Sequence, residues 1–286
     1  MTRLGYFGPA GTFTHAALLA SARWDAGAEA VPFGTERDTI LGAESGAVDA
    51  ALVPIENSLE GGVNATLDTL ALDAPAVRIV GEEVLPITHA LIARDGVALA
   101  DLEAVVSHPQ PLGQCRKYLA EALPGRRAIA ATSTAEAVRT VAESDAPYAA
   151  IGTVAAARLY GCAVLAEGIE DEHGNETRFL WVAPEEAEPF GEAAGSGGAP
   201  KTSIVFHGAG DASPGWLVRC LSELAFRGIN LTRIESRPLK RRLGHYLFLV
   251  DLEGDAAQPA VSEAIDHLRA HCDVVRVLGS YPRAER

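Results

Sequence analysis

The sequence predicts an α/β protein with two lobes, followed by a smaller domain of ferredoxin-like order. Over the first 184 residues, short apolar runs alternate with helical patterns, and the alternation occurs twice. A stretch rich in Glu, Ala, Gly and Pro indicates a linker. The remaining residues follow the order βαββαβ of the split ferredoxin-like unit, and each side of the linker is expected to bury its own core. The predicted boundaries are about 1–80 plus 166–184 for lobe 1, about 81–165 for lobe 2, 185–200 for the linker and 201–286 for the last domain.

The composition indicates a globular protein that folds without cross-links. The chain has 286 residues, of which 48% are hydrophobic and 22% charged. Its four cysteines are spread singly without a C-x-x-C pair, so neither a disulfide framework nor a zinc finger is predicted. Without a signal-like start or an apolar run of about 20 residues, we expect a cytoplasmic protein. The formal net charge of −14 argues against nucleic acid and anionic membranes as partners.

The first lobe is organised around residues 49–70. An apolar run at 50–53 is followed by Pro54, which is expected to end the strand, and Asn64 is expected to cap the next helix. Polar side chains here lie where an α/β sheet usually presents a ligand site, at the carboxyl end of a strand. An ordinary capped strand-to-helix connection explains the segment equally well. The polar side chains in question are Glu56, Asn57 and Ser58.

Similar polar loops follow other predicted strands in both lobes. The glycines after the first strand have the wrong spacing for a dinucleotide fingerprint, and the lysine of a P-loop is missing, so nucleotide binding is weakly supported. The loops share uncharged hydrogen-bonding side chains, which suit a polar anion. This set is Thr12, Asn57, Ser58, Ser107, Gln110, Gln114, Thr132, Ser133, Asn175 and Thr177, with Arg178 as the outstanding cation.

Metal and covalent chemistry are disfavoured by the same survey. The eight histidines show no metal-ligand spacing in the first 180 residues, and His267 and His271, at i and i+4 of one helix, are expected to be surface side chains. There is no G-x-S-x-G elbow, and Cys115 in a helix is expected to be a small core residue rather than a nucleophile. The sequence therefore favours either a binding protein or an enzyme that works by positioning a reactive substrate.

Four motifs in the first 180 residues and two in the last domain resemble monofunctional prephenate dehydratase with its C-terminal ACT regulatory domain. The resemblance covers nearly the whole chain in order, the linker excepted. The motifs are Gly8-Pro9-Ala10-Gly11-Thr12-Phe13-Thr14, Val53-Pro54-Ile55-Glu56-Asn57-Ser58, Ser107-His108-Pro109-Gln110-Pro111 with Gln114, Asn175-Glu176-Thr177-Arg178-Phe179, Gly215-Trp216-Leu217-Val218 and Glu235-Ser236-Arg237-Pro238.

The resemblance implies a fold and a reaction. The fold has two lobes of the periplasmic-binding-protein kind with the site in the cleft. The family reaction removes the ring hydroxyl and the ring carboxylate of prephenate together, giving phenylpyruvate, water and carbon dioxide on the way to phenylalanine, without a cofactor or metal. It also implies a homodimer or homotetramer, with L-phenylalanine bound between ACT domains.

The resemblance further implies roles for individual residues. Thr177 is the residue that the family cannot do without, although an aliphatic hydroxyl is a poor literal acid and is better suited to hydrogen-bond donation. Glu56 is the nearest carboxyl group if a true acid is needed, and a structural role for it is equally compatible with its position. The expected catalytic residues are Thr177, Asn57, Gln114, Ser107 and Glu56, and the expected substrate-binding residues are Thr12, Ser58, Thr132, Arg178 and Phe179. The expected effector-binding residues are Gly215, Trp216, Leu217, Glu235 and Ser236.

Two other functions are compatible with the sequence, and one residue departs from the family pattern. A non-catalytic sensor of amino or keto acids could use the same lobes. An arogenate dehydratase would differ only in whether the substrate side chain carries an amine or a keto group. Trp216 replaces the small residue usual in the family, and we expect it to lie in a subunit interface rather than in the effector pocket.

Overall fold

The computed structural model describes residues 1–187, 198–208, 213–241 and 243–284, which form three β-sheets with packed helices. The mixed α/β fold class predicted from the sequence is confirmed. Most of the predicted linker, residues 188–197, lies outside the described residues. None of the helices in the described ranges is long and apolar enough to cross a membrane.

Residues 1–187 fold into the two lobes. In chain order, their elements are β1 (Arg3–Phe7), α1 (Phe13–Ala20), β2 (Glu29–Phe33), α2 (Glu36–Glu44), β3 (Ala50–Asn57), β4 (Gly61–Gly62), α3 (Asn64–Asp68), a π-helical turn (Thr69–Asp73), β5 (Val77–Pro86), β6 (Ala90–Ala93), a 3-10 turn (Leu99–Asp101), β7 (Ala104–Ser107), α4 (Pro109–Gln114), α5 (Arg116–Ala122), β8 (Arg127–Ala130), α6 (Thr134–Glu143), β9 (Tyr148–Gly152), α7 (Val154–Leu159), β10 (Ala163–Glu167) and β11 (Glu176–Pro184).

Each lobe has its own sheet. The lobe 1 sheet has the order β2-β1-β3-β11-β5, with β4 beside β3, and the lobe 2 sheet has the order β10-β6-β9-β7-β8. In lobe 1, β1 pairs in parallel with β2 and β3, whereas β11 runs antiparallel to β3 and β5. The returning strand β11 therefore lies between β3 and β5 of the lobe 1 sheet, whereas the first residues of the predicted return segment 166–184 still belong to β10 of the lobe 2 sheet.

The chain crosses between the lobes twice, from β5 to β6 and from β10 to β11. The two crossings are joined by hydrogen bonds: the Ile87 N–H donates to the Asn175 carbonyl at 2.8 Å, and the Ile169 N–H donates to the His89 carbonyl at 3.3 Å. Because β5 stays in the lobe 1 sheet up to its end at Pro86, the crossing lies several residues beyond the predicted boundary near 81. These paired crossings form the hinge at the base of the cleft.

Pro54 does not end its strand, contrary to expectation, and β3 continues to Asn57. In the pairing of β3 with β11, Pro54 lies opposite Phe179 and Glu56 opposite Arg178, so Ile55 is an extra, bulged residue. A bulge interrupts the hydrogen-bond ladder, which lets a strand accommodate proline. Asn64 is the first residue of α3 rather than its cap, since the capping position is Val63, without a side-chain hydrogen bond.

The last domain has the predicted βαββαβ order, and its described residues are called the C-terminal unit below. The strands form an antiparallel sheet in the order β13-β14-β12-β15. Its elements are β12 (Pro200–His207), α8 (Trp216–Ala225), β13 (Leu231–Pro238), β14 (Tyr246–Glu253), α9 (Pro259–Arg269) and β15 (Val274–Pro282).

The sheet of the C-terminal unit is covered on both faces. Ile204 and Phe206 pack with α8 and α9, whereas Val205, between them, belongs to the hydrophobic cluster of lobe 1. That shared cluster joins Val77 and Ile79 of lobe 1 to side chains from β14 and β15. A Cβ on Gly279 would overlap the Ile79 carbonyl oxygen, so the two backbones are in close contact. The expectation that each side of the linker buries its own core is therefore wrong for this face of the sheet.

Candidate active site

A cavity of about 370 Å³ lies in the cleft between the two lobes. Side chains from both lobes and from the hinge line it, and the lining includes no Lys or Arg among the described residues. The apolar part includes Phe13 and Phe179, and Phe179 is fully buried. The polar residues of the lining are Thr12, Thr14, Glu36, Asn57, His89, His108, Gln110, Gln114, Thr132, Ser133, Thr134, Asn175 and Thr177.

Asn57 and Thr177 are directly paired at the centre of this lining. They lie opposite each other where β3 runs beside β11. The Asn57 Nδ2 group donates to the Thr177 Oγ1 at 2.9 Å. The Thr177 hydroxyl therefore serves as an acceptor for Asn57, and among the described residues no acceptor takes its own proton. That proton is available to a molecule in the cavity.

The orientation of the Asn57 carboxamide is fixed from both ends. Its Oδ1 accepts the backbone N–H groups of Leu59 at 3.0 Å and Glu60 at 3.1 Å, so its Nδ2 must face Thr177. The same Nδ2 donates to the Asn175 Oδ1 at 2.8 Å. Because both the oxygen and the nitrogen are held, the Thr177 hydroxyl receives a hydrogen bond of fixed direction.

Two helices begin at the cavity wall. Thr12 caps α1, since its Oγ1 accepts the His15 N–H at 3.3 Å, and Ser133 caps α6, since its Oγ accepts the Glu136 N–H at 3.0 Å. Thr132 lies beside the second cap, with its hydroxyl hydrogen-bonded to the Glu136 carboxylate. The first N–H groups of a helix carry partial positive charge. These N-termini are the source of partial positive charge for an anion in a lining that also contains the Glu36 carboxylate.

Gln114 reaches the cavity from lobe 2 and contacts a residue that the sequence interpretation missed. The His89 Nε2 lies 2.8 Å from the Gln114 Oε1, and His89 is only 1% exposed. His89 lacks the spacing of a metal ligand, and this spacing was the histidine pattern considered in the sequence. The available signal was its position in the extended crossing at residues 86–93, which joins the two lobes.

Two of the residues expected at the site, Ser107 and Ser58, are polar side chains that lie outside the lining. Ser107 is fully buried and its hydroxyl donates to the Ile151 carbonyl at 2.8 Å, so it ties β7 to β9 instead of facing substrate. Ser58 donates to the Asn175 Oδ1 at 3.1 Å and supports Asn175 from outside the cavity. Their placement corrects the roles expected for them.

Comparison with known proteins shows the family to which the chain belongs. The family model described as prephenate dehydratase matches residues 4–187, which is more than half of the chain. The chain belongs to the prephenate dehydratase family. A prephenate dehydratase of Amycolatopsis methanolica is 41% identical over 291 aligned positions, which cover 100% of this chain and 90% of the relative. As a member of this family, the chain is an enzyme of the hydro-lyase class.

Two solved structures extend the comparison to the whole chain. Prephenate dehydratase from Arthrobacter aurescens, solved in complex with L-Phe, superposes with a TM-score of 0.87 at 40% identity, covering 99% of this chain and 90% of that one. A protein described as a novel type of quorum quenching acylase superposes with a TM-score of 0.85 at 29% identity, covering 98% of each chain. The shared fold therefore includes the C-terminal unit in both cases.

Arg178 and Glu56, both expected in the prephenate dehydratase site, lie on the opposite face of their strands from the cavity. Arg178 forms ion pairs with Glu56 at 2.9 Å and Glu82 at 3.1 Å in lobe 1, and with Asp251 of the C-terminal unit at 2.7 Å. Side chains of consecutive strand residues point to opposite faces, so Thr177 and Arg178 cannot both face the cleft. Arg178 is therefore a residue of the domain interface, and its expected substrate contact is corrected.

The interface ion pairs are mutually stabilised despite their burial. Burial alone would lower the pKa of Arg178, but the charges of Asp251, Glu82 and Glu56, among others, raise it above its usual value. Burial alone would raise the pKa of Asp251, but the Arg178 charge, the hydrogen bond from Ser203 and the Arg233 charge bring it below its usual value. Both groups therefore remain charged at neutral pH. A buried ion stays charged only when it has close partners of opposite charge.

The residues expected to bind an effector are not brought together in this structure. Trp216 packs against Phe206 and Phe248 in the core of the C-terminal unit and donates through its Nε1 to the His271 carbonyl at 2.7 Å. Both fates considered for it, a subunit interface and an effector pocket, are wrong. Glu235 lies across the sheet, near Arg233 and the Gly62 backbone of lobe 1. The other expected residues are Gly215 and Leu217 at the start of α8, and Ser236, which is exposed on β13.

Proposed function

We propose that this enzyme converts prephenate to phenylpyruvate, water and carbon dioxide in L-phenylalanine biosynthesis, in the cleft that holds Asn57 and Thr177. The observation that carries the proposal is the 2.9 Å hydrogen bond from Asn57 to Thr177, which leaves the Thr177 proton free to be donated. The reaction needs a donor for the departing hydroxyl and no redox or acyl chemistry. The cleft offers that donor.

The proposed reaction breaks two bonds of the prephenate ring and takes up one proton. The bond between the ring and its carboxylate breaks, and its electron pair enters the ring as carbon dioxide leaves. The ring becomes aromatic as the carbon–oxygen bond of the ring hydroxyl breaks, and this oxygen takes up one proton and leaves as water. Thr177 stabilises the departing oxygen by hydrogen bonding, with Asn57 holding the Thr177 oxygen in place. Solvent supplies the net proton, because a hydroxyl with a pKa far above neutral is a poor acid.

The absence of Lys and Arg from the described lining fits the loss of carbon dioxide. A cation beside the departing carboxylate would stabilise the reactant, whereas an apolar surrounding favours the less charged transition state. Phe13 and Phe179 provide apolar surface in the lining. The side-chain carboxylate, which stays on the product, can be held by the N-termini of α1 and α6 and by neutral donors.

The activity is tested by incubating the purified full-length chain with prephenate and following phenylpyruvate by its absorbance. We expect turnover without an added cofactor. Turnover of arogenate but not of prephenate would identify an arogenate dehydratase. Binding of prephenate without turnover would identify a sensor. The likeness to a quorum quenching acylase is tested by release of a free carboxylic acid from N-acyl amide substrates. Acylase turnover without prephenate turnover would overturn the proposal.

We further propose that L-phenylalanine regulates the enzyme and that the C-terminal unit acts as its ACT domain. The support is the position of the ion pairs at the interface. Asp251 pairs with Arg178, which adjoins Thr177, and Arg233 pairs with Glu56, which adjoins Asn57, at 3.4 Å. A shift of the C-terminal unit would therefore act on the two strands that hold the catalytic pair.

This coupling predicts different effects of two ion-pair substitutions. Asp251→Asn removes the charge that pairs with Arg178, and we expect the response of turnover to L-phenylalanine to weaken at least about fivefold, within the usual range of coupling free energies. Asp68→Asn is the matched control, because Asp68 pairs with Arg237 at 2.9 Å, also across the interface but away from Thr177. Steady-state rates with increasing L-phenylalanine give the comparison. Equal responses of the two variants, both folded, would contradict the proposed route.

Self-association as a homodimer or homotetramer and a cytoplasmic location complete the proposal. The C-terminal unit exposes apolar side chains on α8, directly after α8 and on its edge strand β13, namely Val218 at 67%, Phe226 at 85% and Ile234 at 45% exposure. Exposed apolar groups and a free strand edge favour contact with another chain. Sedimentation velocity over a range of protein concentrations measures the association.

A further inference from the structure

His89 lies where the hinge, lobe 1 and lobe 2 meet. It belongs to the crossing between β5 and β6, and its backbone N–H donates to the Glu170 carboxylate of the other crossing at 2.9 Å. Its ring is edge-on to Phe13 of lobe 1, with 5.5 Å between the ring centroids. Its Nε2 lies 2.8 Å from the Oε1 of Gln114 in lobe 2. Nearly the whole side chain is buried in the cavity wall.

The hydrogen-bond network determines which ring nitrogen carries the proton. The Gln114 Nε2 donates to the Glu60 Oε1 at 3.3 Å, so the Gln114 Oε1 is the atom that faces His89. A carboxamide oxygen only accepts hydrogen bonds, and the His89 Nε2 must therefore carry the hydrogen. The other ring nitrogen, Nδ1, is buried without a hydrogen-bond partner in the described residues.

The surroundings of His89 favour the neutral ring. A proton on Nδ1 would be a buried donor without an acceptor, which costs free energy. Burial lowers the pKa of His89, and the hydrogen bond with Gln114 and the charge of Glu170 oppose this without reversing it. The titratable or charged groups next to this pair include Glu170, in the opposite crossing, Asp171, whose backbone N–H donates to the Gln114 carbonyl at 2.6 Å, and Glu60, which contacts Gln114. His89 is thus a neutral ring with one N–H, directed at Gln114.

We propose that His89 is a positioning residue for the dehydratase reaction: its Nε2–H holds the oxygen of the Gln114 carboxamide and thereby turns the Gln114 NH₂ group toward the substrate. A carboxamide can rotate by half a turn at little cost when nothing distinguishes its two ends. With the oxygen turned outward, Gln114 would present a negative dipole to an anionic substrate. The Glu60 carboxylate, which accepts one N–H of Gln114 at 3.3 Å, and the Nε2–H of His89 together exclude that rotamer, and the second N–H of the NH₂ group is left for the substrate. The inference rests on the proposed placement of prephenate beside Gln114.

The test compares three substitutions in the full-length chain. His89→Leu removes the donor, and we expect kcat/KM for prephenate to fall about tenfold or more, as for the loss of a hydrogen bond in a buried site. His89→Gln restores an N–H donor of similar reach and should recover most of the loss. Thr88→Val alters an exposed neighbour in the same crossing and should leave kcat/KM unchanged, which controls for general disturbance of the hinge.

A double substitution separates positioning from a purely structural role. If His89 acts through Gln114, adding His89→Leu to Gln114→Leu should lower kcat/KM less than about twofold further, whereas independent roles would multiply. Histidine ¹⁵N shifts report the tautomer without any assay, and a proton on Nδ1 instead of Nε2 would overturn the inference. So would equal losses in the folded Leu and Gln variants, or full independence from Gln114. Failure of the wild-type chain to turn over prephenate would refute the proposed function instead.

Discussion

At the scale of single residues, the direction of one hydrogen bond limits what Thr177 can do. Asn57 donates to the Thr177 oxygen, so the Thr177 hydroxyl can only donate its remaining proton to a bound molecule. Polarisation by Asn57 makes that proton a better hydrogen-bond donor. The pair therefore supplies what a departing hydroxide needs, a donor of fixed position and direction.

Thr177→Ala should lower kcat by at least about 100-fold, the size expected when a donor to the transition state is removed. Thr177→Ser keeps the hydroxyl and should retain much more activity. Thermal melting must show that both variants are folded, because Thr177 is only 9% exposed within β11. Steady-state turnover of prephenate provides the measurement. Near-normal kcat in the alanine variant would remove Thr177 from the mechanism.

The residue types of the site were predictable from the sequence. The face of the strand on which each side chain lies was also predictable, but the expected roles did not take it into account. Strand alternation, which can be read from the sequence, places Asn57 and Thr177 on one face and Glu56 and Arg178 on the other. The expectation for Arg178 followed its charge and ignored this alternation. His89 was not predictable in the same way, because its contact with Gln114 joins residues 25 positions apart that only the folded chain brings together.

At the scale of elements, the hydrophobic period of each segment predicted whether it forms a helix or a strand. It predicted less well which other elements that helix or strand contacts. The βαββαβ order was predicted because each element has its own apolar pattern. Trp216 was misplaced because it was considered at the helix start alone. Trp216, Cys220 and Leu224 follow one another at intervals of four and are all buried on one face of α8. Pro54 was misread because a bulge depends on the partner strand β11.

Trp216→Ala should therefore destabilise the C-terminal unit instead of acting on subunit association directly. Removing a buried tryptophan leaves a cavity and costs about 3–5 kcal/mol. Trp216→Phe should cost less, because it keeps an aromatic ring while losing the hydrogen bond to His271. Val218→Ala is the matched control on the same helix, since Val218 is 67% exposed, and should change the free energy of unfolding of the unassociated chain by less than about 0.5 kcal/mol. Chemical denaturation measures all three. Equal stabilities for Trp216→Ala and Val218→Ala would contradict the buried position.

At the scale of the whole molecule, the C-terminal unit completes lobe 1. Its sheet contributes to the hydrophobic cluster that also contains Val77 and Ile79, and Lys201 reaches Glu82 at 2.8 Å. Glu82 and Asp251 are both buried, and each depends on partners across the interface. Sequence patterns could predict the two folding units because those patterns are local. They could not predict this interface, since each strand shows only that it is apolar and not what it will contact.

A chain that ends at Pro184 should therefore be unstable and largely inactive, although the sequence alone predicted that each side of the linker would bury its own core. Truncation exposes the lobe 1 side of the shared cluster and leaves Arg178 and Glu82 without Asp251 and Lys201. Apolar surface that the C-terminal unit covers in the full chain would then face water, which costs free energy and favours aggregation. We expect aggregation, or a melting temperature many degrees lower, with loss of prephenate turnover.

Co-expression of residues 1–187 with 198–286 as two chains is the decisive control, because the shared interface should hold them together and restore turnover. A soluble, fully active shortened chain would show that lobe 1 is stable without this interface, and the packing argument would be wrong.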